Sequence, residues 1–375
     1  MRGLRWAAAL GNADWHVGAP LLVALAAAWH TDIATVTAGI AAYPLGQGLA
    51  LPLWGWLADR YGPGHCLRAG LALATAASVG SALCPGPVYW VPLRAAAGAG
   101  FAAVTPSISL FYETLRPAGD RQRAFATLTT VTATSAIASP LLADMALRCG
   151  SWRPAFAVIA VLTAVTACRV STAPPAAAVE VTSTEAPAGT MRTWPSSTYL
   201  TVIGLGAAEG AVMLGLPALL SPALAMAGAD TSTSAVLVLY ATGVLVSTLL
   251  LRRHARAWGP KRLLVTGGWL GAAGAGLPAV LPGATVLMLC AVLLGVAWSY
   301  LHTTLQTWLP RLLPAPARAR AASLFSAAAL LASSAAVALT TSLLQDGRHT
   351  AVFATGAALC GALTCWTVLV ARRWT

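Results

Sequence analysis

Three ionisable residues stand inside long apolar stretches of the sequence, where a charge is unfavourable. Asp14 and Glu209 lie deep in two such stretches, and Arg94 interrupts a third. Loss of hydration favours the neutral form of a carboxyl group, so either acid can take up and release a proton. We predict that these residues couple protons to another process or bind a polar ligand. The alternative is structural: a hydrogen bond to a neighbouring helix for the acids, and a structural cation for Arg94, which lies near the outer end of its span, where snorkelling partly relieves its charge.

Three further polar residues occur in the same apolar stretches, namely His16, His302 and Gln306. His302 and Gln306 are four residues apart, which places them on one face of a helix. Trp15 and His16 are expected to face different sides of theirs. We predict that the two histidines and the glutamine line a pathway for a ligand, and the alternative for each histidine is packing between helices.

The elements that position these residues follow from composition. Of the 375 residues, 58% are hydrophobic and only 9% are charged, with a mean hydropathy of +0.73. A chain of this kind has more apolar surface than a soluble domain can bury, and about 20 apolar residues cross a bilayer as one helix. We therefore predict an all-α integral membrane protein with spans at 6–28, 34–57, 66–84, 88–111, 124–147, 153–170, 199–220, 233–251, 263–281, 284–307, 319–343 and 350–371.

Charge placement gives the orientation of these spans. The net charge is +12, and most of the 23 Lys and Arg residues fall in alternate loops between the apolar stretches. By the positive-inside rule those loops and both termini are cytoplasmic, in the cytoplasmic membrane of a bacterium. The basic charge thus reflects topology, and we expect no nucleic-acid partner.

An enzyme is not expected. The loops are too short for a catalytic domain, and they contain no Gly-Lys-Ser/Thr phosphate loop, zinc-type histidine cluster or nucleophile elbow. The seven cysteines show no metal-ligand spacing. We predict no cofactor and no bound metal.

A polar interval at 171–198 divides the chain into two halves of six predicted spans each, 1–170 and 199–375. The interval is rich in Pro, Ala, Ser and Thr and is typical of a flexible cytoplasmic linker. The halves carry an internal repeat: LGNADWHV at 10–17 aligns with LGAAEGAV at 205–212, and ADRYGPGH at 58–65 aligns with ARAWGPKR at 255–262. The first alignment pairs Asp14 with Glu209.

Several motifs resemble those of one transporter family. GWLADRYGPG at 55–64 resembles the Gly-x-Leu-Ala-Asp-Arg-x-Gly loop of the major facilitator superfamily, and RAAAGAGFAA at 94–103 has the family's Arg-x-x-x-Gly-x-Gly spacing. DWHVGAPLL at 14–22 and SWRPAF at 151–156 are similar to segments of its proton-coupled drug-efflux antiporters. The resemblance implies twelve transmembrane helices in two pseudo-symmetric six-helix bundles, with Arg94 acting in proton relay or orienting a buried carboxylate.

The loop at 55–64 is expected to act in gating. Gly55 would allow two helices to approach closely, and Gly62 would permit a tight turn. The resemblance implies that Asp59, next to Arg60, contacts the N-terminus of the eleventh span when the carrier is closed to the cytoplasm.

The resulting hypothesis is a secondary active transporter that exports a small amphipathic or drug-like molecule in exchange for protons by alternating access. We expect it to work as a monomer in the lipid bilayer. The fifth span has Pro140 without the paired glycines of the family's antiporter motif, so uptake or facilitated passage of a metabolite is an alternative. A transporter-fold sensor that moves nothing is a second alternative.

Overall fold

The structure, a computed structural model, describes residues 2–113, 118–170, 196–226, 233–254, 258–281, 283–308 and 315–374. Most of the predicted linker therefore lies outside the described residues. The α-helices are α1 Arg2–Val17, α2 Leu22–Ala28, α3 Ile33–Tyr61, α4 Pro63–Leu83, α5 Pro87–Phe101, α6 Val104–Glu113, α7 Ala118–Arg148, α8 Arg153–Arg169, α9 Ser196–Glu209, α10 Leu216–Met226, α11 Thr233–His254, α12 Pro260–Val280, α13 Ala284–Trp308, α14 Ala315–Gln345 and α15 His349–Trp374.

Three of the predicted spans are not regular α-helices along their whole length, which corrects the expectation of unbroken helices. A 3₁₀ turn at Ala19–Leu21 separates α1 from α2, because Pro20 has no N–H to continue the helical ladder. The predicted span 88–111 is interrupted between α5 and α6, and the span that holds Glu209 contains a π-helical segment, Gly210–Gly215, between α9 and α10.

Eight helical segments among the described residues are long and apolar enough to cross a membrane: α4, α7, α9 to α10, and each helix from α11 to α15. The other predicted spans fall short for identifiable reasons. The first and fourth are broken, α8 has 17 residues, and α3 contains Pro44, Gln47 and Pro52. Large side chains such as Leu49, Leu339 and others along the outer helix faces are exposed, as expected of surfaces that meet lipid. The protein is a multi-pass membrane protein.

The helices pack in the same pairs in both halves of the sequence. In the first half α1 packs on α7, α3 on α5, and α4 on both α5 and α8; in the second half α9 packs on α14, α11 on α13, and α12 on both α13 and α15. Two further pairings, α3 with α14 and α7 with α11, join the halves.

Glycines repeat at the equivalent crossings. A Cβ at Gly98 would overlap the carbonyl oxygen of Tyr43, and a Cβ at Gly295 would overlap that of Tyr240. Gly98 and Gly295 are as far apart in the sequence as Tyr43 and Tyr240. The backbones of α3 and α5, and of α11 and α13, therefore touch at corresponding positions, which small residues alone permit.

Candidate functional site

A cavity of about 350 Å³ lies between helices of the two halves of the sequence. The first half contributes residues of α1, α3 and α7, and the second half contributes residues of α10, α11, α13 and α14. Aromatic side chains from both halves line it, including Trp15, Tyr240 and Trp298. The predicted pathway residues His16, His302 and Gln306 all line this cavity.

Asp14 and Arg94 form a buried ion pair in the first half. Nη1 of Arg94 donates to Oδ2 of Asp14 at 2.9 Å, and Nη2 donates to the Asp14 backbone carbonyl at 2.6 Å. The two side chains are 0% and 2% exposed. Arg94 thus uses two donors of its planar fork on one residue, which fixes both the carboxylate and the local backbone of α1.

Aromatic rings enclose the Arg94 guanidinium. Its Cζ lies 4.8 Å from the ring centroid of Tyr43, 5.3 Å from that of Phe156 and 5.5 Å from that of Trp90. Asp14 and these rings hold the charge of Arg94 inside the protein, so its side chain does not extend to the membrane surface.

Helix contacts keep α1 in place around Asp14. The Tyr43 hydroxyl donates to the carbonyl of Gly11 at 2.9 Å, and the Ser139 hydroxyl donates to that of Ala13 at 2.6 Å. These bonds tie α1 to α3 and α7 on either side of the buried acid. The remaining oxygen of Asp14, Oδ1, is buried and has no hydrogen-bond partner in the described part of the chain.

Glu209 and His302 form a second acid–base pair, in the other half. Oε1 of Glu209 lies 2.7 Å from Nδ1 of His302. Glu209 is fully buried, whereas His302 is 13% exposed and borders the cavity. The indole of Trp298 stacks on the imidazole with centroids 4.6 Å apart and planes inclined by 18°. Within the described ranges, Oε2 of Glu209 is buried without a hydrogen-bond partner.

The backbone changes form directly after Glu209. The π-helical segment Gly210–Gly215 begins at the next residue, and such wide turns within α-helices are frequent at functional sites. A Cβ at Gly210 would overlap the backbone of Ala329, and a Cβ at Gly206 would overlap that of Phe325. The helix carrying Glu209 is therefore pressed against α14.

His16 is held by its own helix. Its Nδ1 lies 2.8 Å from the carbonyl of Asn12, and since a carbonyl can only accept, Nδ1 carries the proton. The Asn12 amide in turn donates to the carbonyl of Thr132 on α7 at 2.7 Å. Trp15 and His16, which are consecutive residues of α1 and were expected to face different sides of it, both line the cavity.

The predicted gating loop lies at the junction of α3 and α4. Gly62 has φ of 85°, a conformation that favours glycine, and this confirms the tight turn. A Cβ at Gly55 would meet open space, so the prediction that it allows close helix approach is wrong for this conformation. Asp59 and Arg60 are exposed. The expected contact of Asp59 with the start of α14 involves residues whose side chains are outside the described part of the chain.

One contact between the halves was not anticipated. The Ser234 hydroxyl of α11 donates to Oδ1 of Asp144 on α7 at 2.6 Å, so this acid contacts the second half. The repeat also extends further than the two aligned segments. Tyr43 and Gly46 recur as Tyr240 and Gly243, a Tyr-x-x-Gly signal that an alignment at the same offset reveals.

Comparison with known proteins places this geometry in a family. The family model described as Major Facilitator Superfamily matches residues 6–218. No curated protein sequence matches the chain.

Solved structures share the fold at low sequence identity. A peptide transporter POT in complex with sulfate has a TM-score of 0.75 and 15% identity, covering 100% of this chain and 94% of its own. The xylose transporter XylE from E. coli, in a partially occluded inward open conformation, has a TM-score of 0.78 and 14% identity, covering 97% of each chain. A POT family transporter in complex with 5-aminolevulinic acid has a TM-score of 0.76 and 12% identity, covering 100% and 96%.

Proposed function

The chain belongs to the Major Facilitator Superfamily, and from this premise we propose that it exports a small amphipathic molecule in exchange for protons. It is a membrane transporter and not an enzyme. The observation that carries the proposal is the pair of buried acid–base contacts, one from each half, beside a cavity between the halves. Charges buried at this depth are rarely kept without a function.

The proposed architecture has twelve spans in two six-helix bundles, 1–170 and 199–375, joined by a cytoplasmic linker at 171–198. The matching helix pairs and the matching glycine crossings support two related halves. Alternating access then consists of rocking of the bundles about the cavity. Both termini are cytoplasmic in a bacterial cytoplasmic membrane, and one chain suffices for transport.

Asp14, Arg94 and Glu209 are the proposed coupling or substrate-binding residues. Of the two acids, Glu209 is better placed to exchange a proton. Asp14 is bound twice by a guanidinium, which stays protonated at any working pH, so its pair has no second titratable member. The partner of Glu209 is an imidazole, a group that can itself gain or lose a proton, and it borders the cavity. We assign proton exchange to Glu209 with His302, and the positioning of α1 to Asp14 with Arg94.

Gating is proposed for the loop of Gly55, Asp59, Arg60 and Gly62. An anionic side chain is stabilised near a helix N-terminus. The helix α14 begins at Ala315 and packs along α3, the helix that carries Asp59. Asp59 would make this contact in the state closed to the cytoplasm and release it in the open state.

Proton exchange is tested with the purified carrier and with proteoliposomes. Compounds that bind are added in weakly buffered solution, and proton release is recorded for wild type, Glu209→Gln and Asp14→Asn. We expect release in wild type and its loss in Glu209→Gln. Asp346→Asn is the matched control, since Asp346 is an exposed acid after α14. Binding without proton movement in any variant would refute proton coupling.

Uptake is the second candidate, because the similar folds include a peptide transporter and a xylose transporter. Proteoliposomes with an imposed pH gradient of either sign separate the two. Export by exchange requires cargo to accumulate on the acidic side, whereas symport accumulates it on the alkaline side and a facilitator ignores the gradient. A sensor would bind without moving cargo under any gradient.

A further inference from the structure

The residues that line the cavity indicate whether the transported molecule, the cargo, is charged. Among the described residues that line it, none is Asp, Glu, Lys or Arg. The nearest acid of the second half, Glu209, is fully buried behind His302, and the acid of the first half, Asp14, is fully buried and paired with Arg94. A charged group brought into this space would lose water without gaining a direct ionic partner, which is strongly unfavourable.

Two histidines that line the cavity, one from each half of the sequence, supply hydrogen-bonding atoms. His16 uses Nδ1 on the carbonyl of Asn12, and His302 uses Nδ1 on Oε1 of Glu209. Nε2 of neither ring has a partner among the described residues. In a neutral imidazole that donates through Nδ1, Nε2 is an acceptor. Both rings therefore offer an acceptor to a ligand that carries donors. Of the other described lining residues, Gln47 has a buried acceptor, Oε1, and Trp298 a buried donor, Nε1, that lack a partner.

Most of the remaining wall is apolar or aromatic, and the polar side chains in it are neutral amides and hydroxyls, such as those of Gln47, Gln306 and Ser326. Trp15 and Tyr240 contribute rings from the two halves, and Ile40, Leu237 and Leu330 contribute aliphatic surface. A volume of about 350 Å³ is near the lower end for small-molecule pockets, which suits a ligand of one or two fused rings.

We propose that the cargo is an uncharged molecule with a flat ring system and a hydrogen-bond donor, which Nε2 of His16 or His302 accepts. The inference rests on the proposed function in that it names the cargo class of the same cavity. The contact through His302 also ties cargo to the proton. When the Glu209–His302 pair gains a proton, Nε2 of His302 becomes a donor and no longer accepts from the cargo.

A cationic cargo is the competing class, because aromatic faces attract cations. The structure disfavours it at Trp298, since one face of that indole is already stacked on His302. Among the described residues that line the cavity, the Tyr240 phenol is uncharged at neutral pH and provides no anion.

A matched series on one ring skeleton tests the class. The probes are 2-naphthol, 2-methoxynaphthalene, 2-naphthoate and a trimethylammonium naphthalene, which differ in the donor and in charge. Binding to the purified full chain in lipid nanodiscs is measured by isothermal titration calorimetry, with empty nanodiscs subtracted. We expect the naphthol to bind roughly tenfold or more tightly than the methyl ether, since one hydrogen bond separates them.

Variants locate the binding. His16→Ala and His302→Ala are each expected to weaken naphthol binding, with the larger loss at the histidine that accepts the donor, while His65→Ala, an exposed histidine, should leave it unchanged. The methyl ether should respond to neither cavity variant.

Three results would overturn the proposal: tighter binding of the cationic or anionic probe, equal binding by both histidine variants and wild type, or no binding of any probe at millimolar concentration. These outcomes are distinct from failure of the proposed function. If the carrier binds naphthol as described but releases no proton, the proposed cargo class is supported and the proposed proton coupling is refuted. If it couples protons to a charged cargo, proton coupling is supported and the proposed cargo class is refuted.

Discussion

Replacing Arg94 with methionine tests whether Asp14 depends on its ion pair. The side chain of methionine fills much of the same space between Tyr43, Trp90 and Phe156, so the main loss is the charge and its hydrogen bonds. Asp14 would then be a fully buried acid without a counterion.

The size of the effect follows from the contacts. Arg94 donates twice to Asp14, and hydrogen bonds to charged groups contribute about 1.5 to 3 kcal/mol each. Breaking one side of a buried ion pair costs about 3 to 5 kcal/mol, whereas replacing both sides with apolar residues of similar volume is often neutral. We expect Arg94→Met to lower the free energy of unfolding by about 4 kcal/mol, and Asp14→Leu combined with Arg94→Met to recover most of that loss.

The free energy of unfolding is measured by denaturant titration of the purified protein in micelles, followed by far-UV circular dichroism. The two single variants, the double variant and wild type form a double-mutant cycle. Arg262→Met, at an exposed arginine of α12, is the matched control. A loss below about 1 kcal/mol for Arg94→Met, or a double variant as unstable as the sum of the singles, would refute the coupling of the two charges.

Two further predictions concern the helices around the site. Asp32 caps α3 by accepting from the backbone N–H of Thr35 at 2.6 Å, so Asp32→Ala should destabilise the protein by about 0.5 to 2 kcal/mol in the same titration. That N–H holds the pKa of Asp32 below its usual value, and the difference between wild type and variant should vanish as the pH falls through that lowered pKa. Gly98→Ala forces a Cβ onto the carbonyl of Tyr43 and should cost about 1 to 3 kcal/mol, while Gly55→Ala, facing open space, should not; equal effects would contradict the packing of α3 on α5.

The sequence predicted the helices well where hydrophobicity decides them. Ends of α8, α13 and α15 agree with the predicted spans within a few residues. The interruption at Ala19–Leu21 had a readable signal in Gly18 and Pro20. The break between α5 and α6 and the π-helical segment Gly210–Gly215 had none, because they depend on packing against other helices and not on local residue preference.

At the candidate site, too, the sequence predicted some features and not others: it identified the residues but not the contacts between them. Asp14, Arg94, Glu209 and His302 were all predicted from residue type and position in the spans. The family resemblance implied that Arg94 acts in proton relay or orients a buried carboxylate, but nothing in the sequence identified that carboxylate as Asp14 or paired Glu209 with His302. The partners are 80 and 93 residues apart, and helix rotation decides whether they meet. Ala-rich spans constrain that rotation weakly by pattern, so glycine crossings such as that at Gly98 fix it instead.

The π-helical segment after Glu209 affects how many residues separate this acid from the cavity wall that follows it. A π turn holds one residue more than an α turn, so the segment behaves as a single-residue insertion. Deleting Ala211 would relax the segment to a regular α-helix and leave its two flanks close to their present orientation, because the wide turn already absorbs the extra residue. A deletion within the regular part of α9 would instead rotate the flanks by about 100°, since each residue turns an α-helix by that angle. The span thus accommodates one extra residue between Glu209 and the cavity wall that follows it, including Leu214 and Pro217, without turning either away.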